Sequence, residues 1–360
     1  MYRLLSLILV LATATHAVAV VAEDAATANA PTTDVLDVPA ARSALAPRAL
    51  LNGLARAGGR VIAVGQRGHV LYSDDAGANW QQAEVPVSSD LVAVSFPSPS
   101  MGWAVGHDGV ILHTNNAGAT WSRQLDGHRA GSMLLAAYPE NASAKDERAA
   151  ALHDQSKRFA EQGAENPFLD VWFADERDGY VVGAFGLILH TTDAGATWQP
   201  ALHEVDNPGG LHLYAIRNAG SDLYIVGEQG LALRLDRDAG RFEKLQLPYQ
   251  GTLFGVIGDG RSVVVFGLRG TVLRSVDRGA SWQAITTGLQ VGMTGGTVGV
   301  DGRFVIVSQA GHVLASDDAG ATFALQPVQQ PQPAAAVVVA NGGALVVAGP
   351  RGVRALPAAH

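Results

Sequence analysis

One pattern recurs along the chain and leaves little choice of fold. It reads: small apolar run, Gly, two variable residues, Gly, second apolar run, Ser/Thr-x-Asp-x-Gly-x-Thr-Trp. Its clearest copies are VIAVGQRGHVLYSDDAGANW (61–80), WAVGHDGVILHTNNAGATW (103–121), YVVGAFGLILHTTDAGATW (180–198) and VVFGLRGTVLRSVDRGASW (264–282). A fifth, FVIVSQAGHVLASDDAGATF (304–323), ends in Phe; LYIVGEQGLALRLDRDAGRF (223–242) is degenerate, and LVVAGPRGVRAL (345–356) stops before the box. The second glycines fall at Gly68, Gly109, Gly186, Gly230, Gly270, Gly311 and Gly352, at intervals of 41, 77, 44, 40, 41 and 41. A period near 40 with several short strands per repeat is the signature of a β-propeller. The pattern therefore predicts an all-β, seven-bladed β-propeller over residues 34–360.

Each blade can be laid out as four strands. In blade 2, LVAVSF (91–96) is the inner strand, WAVGH the second, GVILHT the third and TWSRQ the outer. Blade 7, from Ala334 to Leu356, has room for three. Its outer strand is expected from Val35-Leu36-Asp37-Val38, so that an N-terminal strand in the last blade closes the ring and leaves no open edge. The interval of 77 holds one repeat plus about 36 further residues. These form an insertion over about 123–168. Within it, residues 140–163 carry strong helix formers, Ser143 as a candidate N-cap with Asp146 three later, and Gly163 as a stop. Leu152 and Phe159 share one side of this helix.

The N-terminus reads as an address. Arg3, an apolar run from Leu4 to Ala14, and small residues up to Ala22 are the pattern of a cleaved signal peptide over 1–22. The run is too short for a membrane span. Residues 23–33 read as a flexible lead-in. The mature chain is thus expected to be periplasmic or secreted and not membrane-spanning. The absence of cysteine excludes disulfides, a thiol nucleophile, zinc ribbons and a lipid-modified cysteine. A net charge of −8 argues against a nucleic-acid partner.

The box is a turn between third and outer strands. Asp75, Asp193, Asp277 and Asp318, with Asn116 in blade 2, can accept N–H bonds within their own turns. Gly77 and its counterparts supply a positive φ. Trp80, Trp121, Trp198, Trp282 and Phe323 offer rings to pack within the blades. These residues are read as structural. A site is expected instead on the face carrying the second-to-third strand turns and the blade-to-blade links. There the variable pairs before each second glycine place Arg67, His107, Asp108, Phe185, Glu228, Arg269 and Arg351. Arginines clamp carboxylates through paired N–H donors, and an exposed aromatic suits a partner contact. The insertion belongs on the same face, as a lid or rim.

The boxes resemble the Asp-box of bacterial neuraminidase repeats. The fuller pattern, V-G-x-x-G-x-[IVL]-L-x-[ST]-x-D-x-G-x-[TS]-W, is similar to the propeller family of the photosystem II stability/assembly factor. Asp108-Gly109-Val110-Ile111-Leu112-His113 and Leu169-Asp170-Val171-Trp172-Phe173 carry the likeness to its bacterial branch. The resemblance implies an exported, non-catalytic, protein-binding accessory of a membrane-associated complex, its partner a complex subunit or an exporter. The alternative is a sialidase-like glycan-active or glycan-binding propeller. Against it, the Phe-Arg-Ile-Pro signature is absent, and Asp108, Asp170 and Glu228, the candidate face carboxylates, show no diagnostic spacing. His203-Glu204 with His212 is the nearest thing to a metal cluster, and His113 and His190 share a third-strand register that suits packing. No metal, cofactor or catalytic residue is expected.

Overall fold

In the computed structural model, residues 33–141 and 146–356 are described. The signal-peptide reading, most of the lead-in and Ser143 lie outside them. Six four-stranded antiparallel sheets and one three-stranded sheet follow one another along the chain. Inner strands run Leu51–Ala57, Leu91–Ser95, Phe168–Phe173, Leu213–Ala219, Leu253–Gly258, Met293–Val298 and Ala336–Val339. Consecutive inner strands pack side by side, and that of blade 7 packs on that of blade 1. The seven-bladed propeller is thus complete. Its second strands are buried, end to end in Gly102–Gly106 and Val263–Gly267 and all but Arg60 in Arg60–Gly65, which is what strands covered on both faces require.

The V-G-x-x-G glycines are explained by close approach. A Cβ on Gly68 would lie 2.1 Å from the Val87 carbonyl oxygen, and one on Gly270 only 1.9 Å from that of Leu289. Each second glycine also has a positive φ, 70° and 74° in these two. The turn is therefore wedged under the link to the next blade. The N–H of Gly68 donates to the Ser89 carbonyl at 2.8 Å, and that of Gly230 to Gly251 at 2.8 Å. These bonds put turns and links on one face, as the repeat layout requires.

The boxes share one geometry, and its hub is the Ser or Thr ahead of the Asp. In blade 1 the Ser73 hydroxyl donates to Asp75 Oδ1 at 2.7 Å and accepts the Gly77 N–H at 2.9 Å. The Asn79 N–H donates to Asp75 at 2.8 Å, and the Trp80 indole N–H to the Gly77 carbonyl at 3.1 Å. Blades 2 and 5 repeat the full set around Thr114 and Ser275. Blades 3 and 6 repeat the turn around Thr191 and Ser316. The Trp198 indole nitrogen is buried without a partner.

Those donors hold the carboxyls down. Asp75 lies at about 2 through the Asn79 backbone N–H, that residue's amide and the Ser73 hydroxyl. Asp277 lies at about 2 chiefly through the Ser281 hydroxyl, and Asp318 at about 2 chiefly through the Thr322 N–H. An unfolded Asp titrates near 3.9. Between about pH 4 and pH 2 the unfolded chain therefore binds more protons than the folded one. The stabilisation is complete above that window and is lost as pH falls through it. The thermal midpoint followed by circular dichroism should drop over this range. Changing Asp75, Asp277 and Asp318 to the Asn that blade 2 already carries should flatten the drop; an unchanged acid limb would refute the assignment.

Ring closure differs from the expectation. Among the described residues blade 7 has three strands, Ala336–Val339, Leu345–Gly349 and Gly352–Leu356, and no fourth. Val35–Asp37 is a 3₁₀ turn, not an outer strand. The Asp34 carboxylate caps it by accepting the Leu36 N–H at 2.9 Å. Leu36, 3% exposed, is buried in the core shared by blades 1 and 2. The Val35 carbonyl accepts the Ser88 N–H at 2.9 Å, that of Leu36 accepts Arg123 at 2.8 Å, and the Ala40 N–H donates to Val85 at 3.0 Å. A capped turn with a buried leucine thus outcompetes a lone edge strand. The segment becomes a strap on blades 1 and 2. Closure falls to the next turn, Ala46–Arg48: a Cβ on Gly352 would lie 2.1 Å from the Pro47 carbonyl oxygen.

The insertion is a helical hairpin where one helix was expected. Helix α1 spans Gly127–Ala137 and is capped by Asp126; α2 spans Glu147–Gln162. The α2 N-cap is Asp146, whose carboxylate accepts the Arg148 N–H at 2.9 Å. Gly163, at φ 65°, ends it as expected. Gly131 lets the helices close, since a Cβ there would lie 2.9 Å from the Ala160 Cα. Phe159 is buried, and Leu152 packs beside it on the main core. Sequence reading missed α1, although Asp126 followed by apolar Ala130 and Leu134 was its signal.

Candidate partner-binding face

The face residues sit on constrained backbone. Arg67, Asp108, Phe185, Gln229 and Arg269, each second in its variable pair, have φ between 52° and 58°. This left-handed region is costly for a side chain, and the wedged glycine that follows each holds it there. Arg67, His107, Phe185, Arg269 and Arg351 are exposed; Asp108 and Glu228 are half-buried.

Two clusters form. On blades 3 and 4, the Phe185 N–H donates to His212 Nδ1 at 2.8 Å, and the two rings meet edge-on at 4.6 Å. Glu228 accepts the His212 N–H at 2.9 Å. Gln155 of α2 donates to the Phe185 carbonyl at 2.6 Å, and the Arg148 guanidinium to the His203 carbonyl at 2.6 Å. The hairpin thus reaches over blade 3 to the link beyond it. Phe185 remains 50% exposed despite this scaffold.

The second cluster is basic. Arg351 stands in the blade 7 turn against Arg48, whose Cα lies 2.6 Å from the Cβ position of Gly352. Arg48 and Arg67 both line a groove of about 700 Å³ beneath the strap, with Val35, Val38 and Leu45 as apolar wall. Leu45 is 65% exposed. Among the described residues, none of these three guanidinium groups pairs with a carboxylate, although the Arg67 backbone N–H donates to Asp90 Oδ1 at 2.7 Å. Arg48 was not foreseen because it lies outside every repeat. Arg269, on blade 5, joins neither cluster. His69 lines the same groove, and burial pushes its imidazole down towards the neutral form.

Asp170 is not on the face. It lines the bore, 3% exposed, and pairs with Arg217 of blade 4. Burial pushes its carboxyl up; the guanidinium and the N–H groups of Ile216 and Val171 pull the other way. His203 meets Glu204 at 3.8 Å, but His212 does not join them. His203 bonds the Tyr138 hydroxyl at 2.8 Å while His212 turns to Phe185. Among the described residues, no group of three His, Asp or Glu could hold a metal. His113 and His190 pack on Trp103 and Tyr180 at 4.9 and 4.0 Å. No described helix is long and apolar enough to cross a membrane.

Box-punctuated sheets around a bore, turns and links gathered on one face, define a seven-bladed Asp-box β-propeller. The model of the photosynthesis system II assembly factor YCF48 family matches residues 56–153 and 149–330. The chain belongs to that family. It is 28% identical over 162 residues to the photosystem II assembly lipoprotein Ycf48 of Synechococcus sp. (strain CC9902), covering 44% of this chain and 48% of the relative. It is 30% identical over 155 residues to that of Parasynechococcus marenigrum (strain WH8102), covering 42% and 46%. The chain thus spans about half the length of these relatives. Two solved structures share the fold. One is YCF48 bound to D1 peptide, with TM-score 0.60, 15% identity and coverage of 85% and 92%. The other is YCF48 from Cyanidioschyzon merolae, with TM-score 0.61, 14% identity and coverage of 85% and 95%.

Proposed function

We infer that this chain is an exported, non-catalytic accessory factor that binds an extended segment of a membrane-complex subunit or an exporter, through the face of turns and links. One observation carries the reading. Arg351, Arg48 and Arg67 follow one another across the blade 7–blade 1 junction, exposed, their guanidinium groups without a carboxylate partner among the described residues, beside an apolar groove. Unpaired guanidinium groups next to apolar wall suit a segment that alternates carboxylates with apolar side chains. The solved relative holding a D1 peptide supports a peptide as the partner. Phe185 gives the face a second anchor on the far side of the helical hairpin. The alternative of glycan hydrolysis finds no support in the bore. Among the described residues its lining holds one carboxylate, Asp170, already paired, where hydrolysis needs two.

The test is charge reversal. Arg48→Glu, Arg67→Glu and Arg351→Glu together should reduce co-purification of envelope membrane proteins at least tenfold, with the thermal midpoint little changed because all three are exposed. Single reversal of Arg269, outside the cluster, should have less effect. Undiminished co-purification by the triple variant would overturn the site.

A further inference from the structure

The inner strands reveal a second site. Those of blades 1 to 6 open with a bulge, so that one residue is skipped before pairing resumes. The first residue after the bulge is Gly53, Ala93, Ala215, Gly255 or Gly295 in blades 1, 2, 4, 5 and 6, and Ala336 stands at the matching place in blade 7. Six small residues leave a cavity of about 550 Å³ along the axis. Blade 3 alone breaks the ring, with Asp170.

Asp170 is built in tightly. Its carboxylate accepts the N–H of Val171 at 2.9 Å and of Ile216 at 2.8 Å, and pairs with Arg217 Nη1. The same Nη1 donates to the carbonyls of Val171 and Ile216 at 3.2 and 2.6 Å. Every contact of the guanidinium thus falls on one nitrogen. Among the described residues its Nε and Nη2 hydrogens have no partner, and the side chain, 38% exposed, lines the cavity. A clasp serving only to join blades 3 and 4 would spend the fork on the carboxylate. Here the fork's bidentate edge is left free.

The skipped residue completes the site. It is Tyr214 in blade 4 and Phe254 in blade 5, where other blades carry Asn52, Val92, Leu169 or Thr294. The two rings meet edge-on at 5.5 Å. Tyr214 lies three residues from Arg217 on one strand, and the arginine folds back to the level of Asp170, the register equivalent of Ala215. Tyr214, Phe254 and Arg217 thus line one cavity. His107 and Gln309, from the face turns, line the same cavity, which joins it to that side of the ring.

We propose that the bore is a binding site for a small monocarboxylate with an aromatic body, the carboxylate on the Nε–Nη2 edge of Arg217 and the ring against Tyr214 and Phe254. The charge count selects a monoanion. Arg217 is already shared with Asp170, so only one edge of a single guanidinium is left for a ligand, and one carboxylate matches its two parallel N–H donors. Asp170 is the positioning residue. The site does not depend on the docking face and stands or falls separately.

Calorimetric titration of the full chain with phenylacetate, and with phenylacetamide as the uncharged isostere, tests this. One saturable site should appear for the acid, at least tenfold tighter than for the amide. Arg217→Lys keeps a charge for Asp170 but loses the fork, and should weaken phenylacetate at least tenfold. Phe254→Leu should weaken acid and amide alike, by about fivefold, with Asp170 untouched. Equal binding of acid and amide, absence of saturable binding by the folded wild type, or full affinity in either folded variant would overturn the proposal. Should Arg217→Lys fail to fold, the acid–amide comparison and Phe254→Leu still decide it.

Discussion

Gly270→Ala should destabilise the protein by about 3 kcal/mol or more, read as a lowered denaturation midpoint. Two independent costs meet there. The backbone sits at φ 74°, which costs an L side chain about 1–2 kcal/mol. The added Cβ would also stand 1.9 Å from the Leu289 carbonyl oxygen, far inside contact distance. That oxygen belongs to the link entering blade 6, so the clash cannot be relieved by rotating a side chain. Gly240 separates the two costs. Its φ is 63°, but nothing lies within 4 Å of its Cβ position. Gly240→Ala should therefore lose about 1 kcal/mol from backbone strain alone. Equal losses at both sites would show that the wedge under the link carries no weight.

Trp103→Ala should cost about 3–5 kcal/mol. Trp103 is fully buried in the second strand of blade 2, and its ring stacks on Phe173 of blade 3 at 3.6 Å with 12° between planes. Phe173 in turn meets Trp198 edge-on at 6.1 Å. The indole N–H donates to Gln124 at 3.1 Å, and Gln124 donates onward to the Ala194 carbonyl of the blade 3 box at 2.8 Å. Removing the ring leaves a large cavity and an orphaned amide oxygen between two blades. Trp103→Phe should cost much less, because stacking survives and only the bond to Gln124 is lost. Chemical denaturation followed by far-ultraviolet circular dichroism checks both; a small loss for Trp103→Ala would mean that the blades do not depend on this stack.

The blades were legible because their constraint is periodic. Wedged glycines, box turns and buried second strands recur with fixed spacing, so each copy corroborates the others. Features occurring once were harder to read. Val35-Leu36-Asp37-Val38 has the composition of a strand, and only the Asp34 cap and the pocket for Leu36 turn it into a strap. Arg48 belongs to no repeat, so counting variable pairs passed over it. Asp170 could not be separated from a surface carboxylate by pattern alone. Its meaning depends on register, which places it among glycines and alanines once the bulges are aligned. The pairing of Phe185 with His212 was equally hidden, since 27 residues separate them and the turn conformation brings them together.

The strap gives the molecule a mechanical grain. Tension applied ahead of Asp34 would reach the ring through the bonds of Val35, Leu36 and Ala40 to blades 1 and 2, one after another. No blade's sheet includes that segment. Pulling would peel the strap while every sheet stayed paired, and the groove that Arg48 and Arg67 line would lose the wall that Val35 and Val38 give it. Load on one end of the chain would thus be converted into loss of a surface rather than loss of a fold.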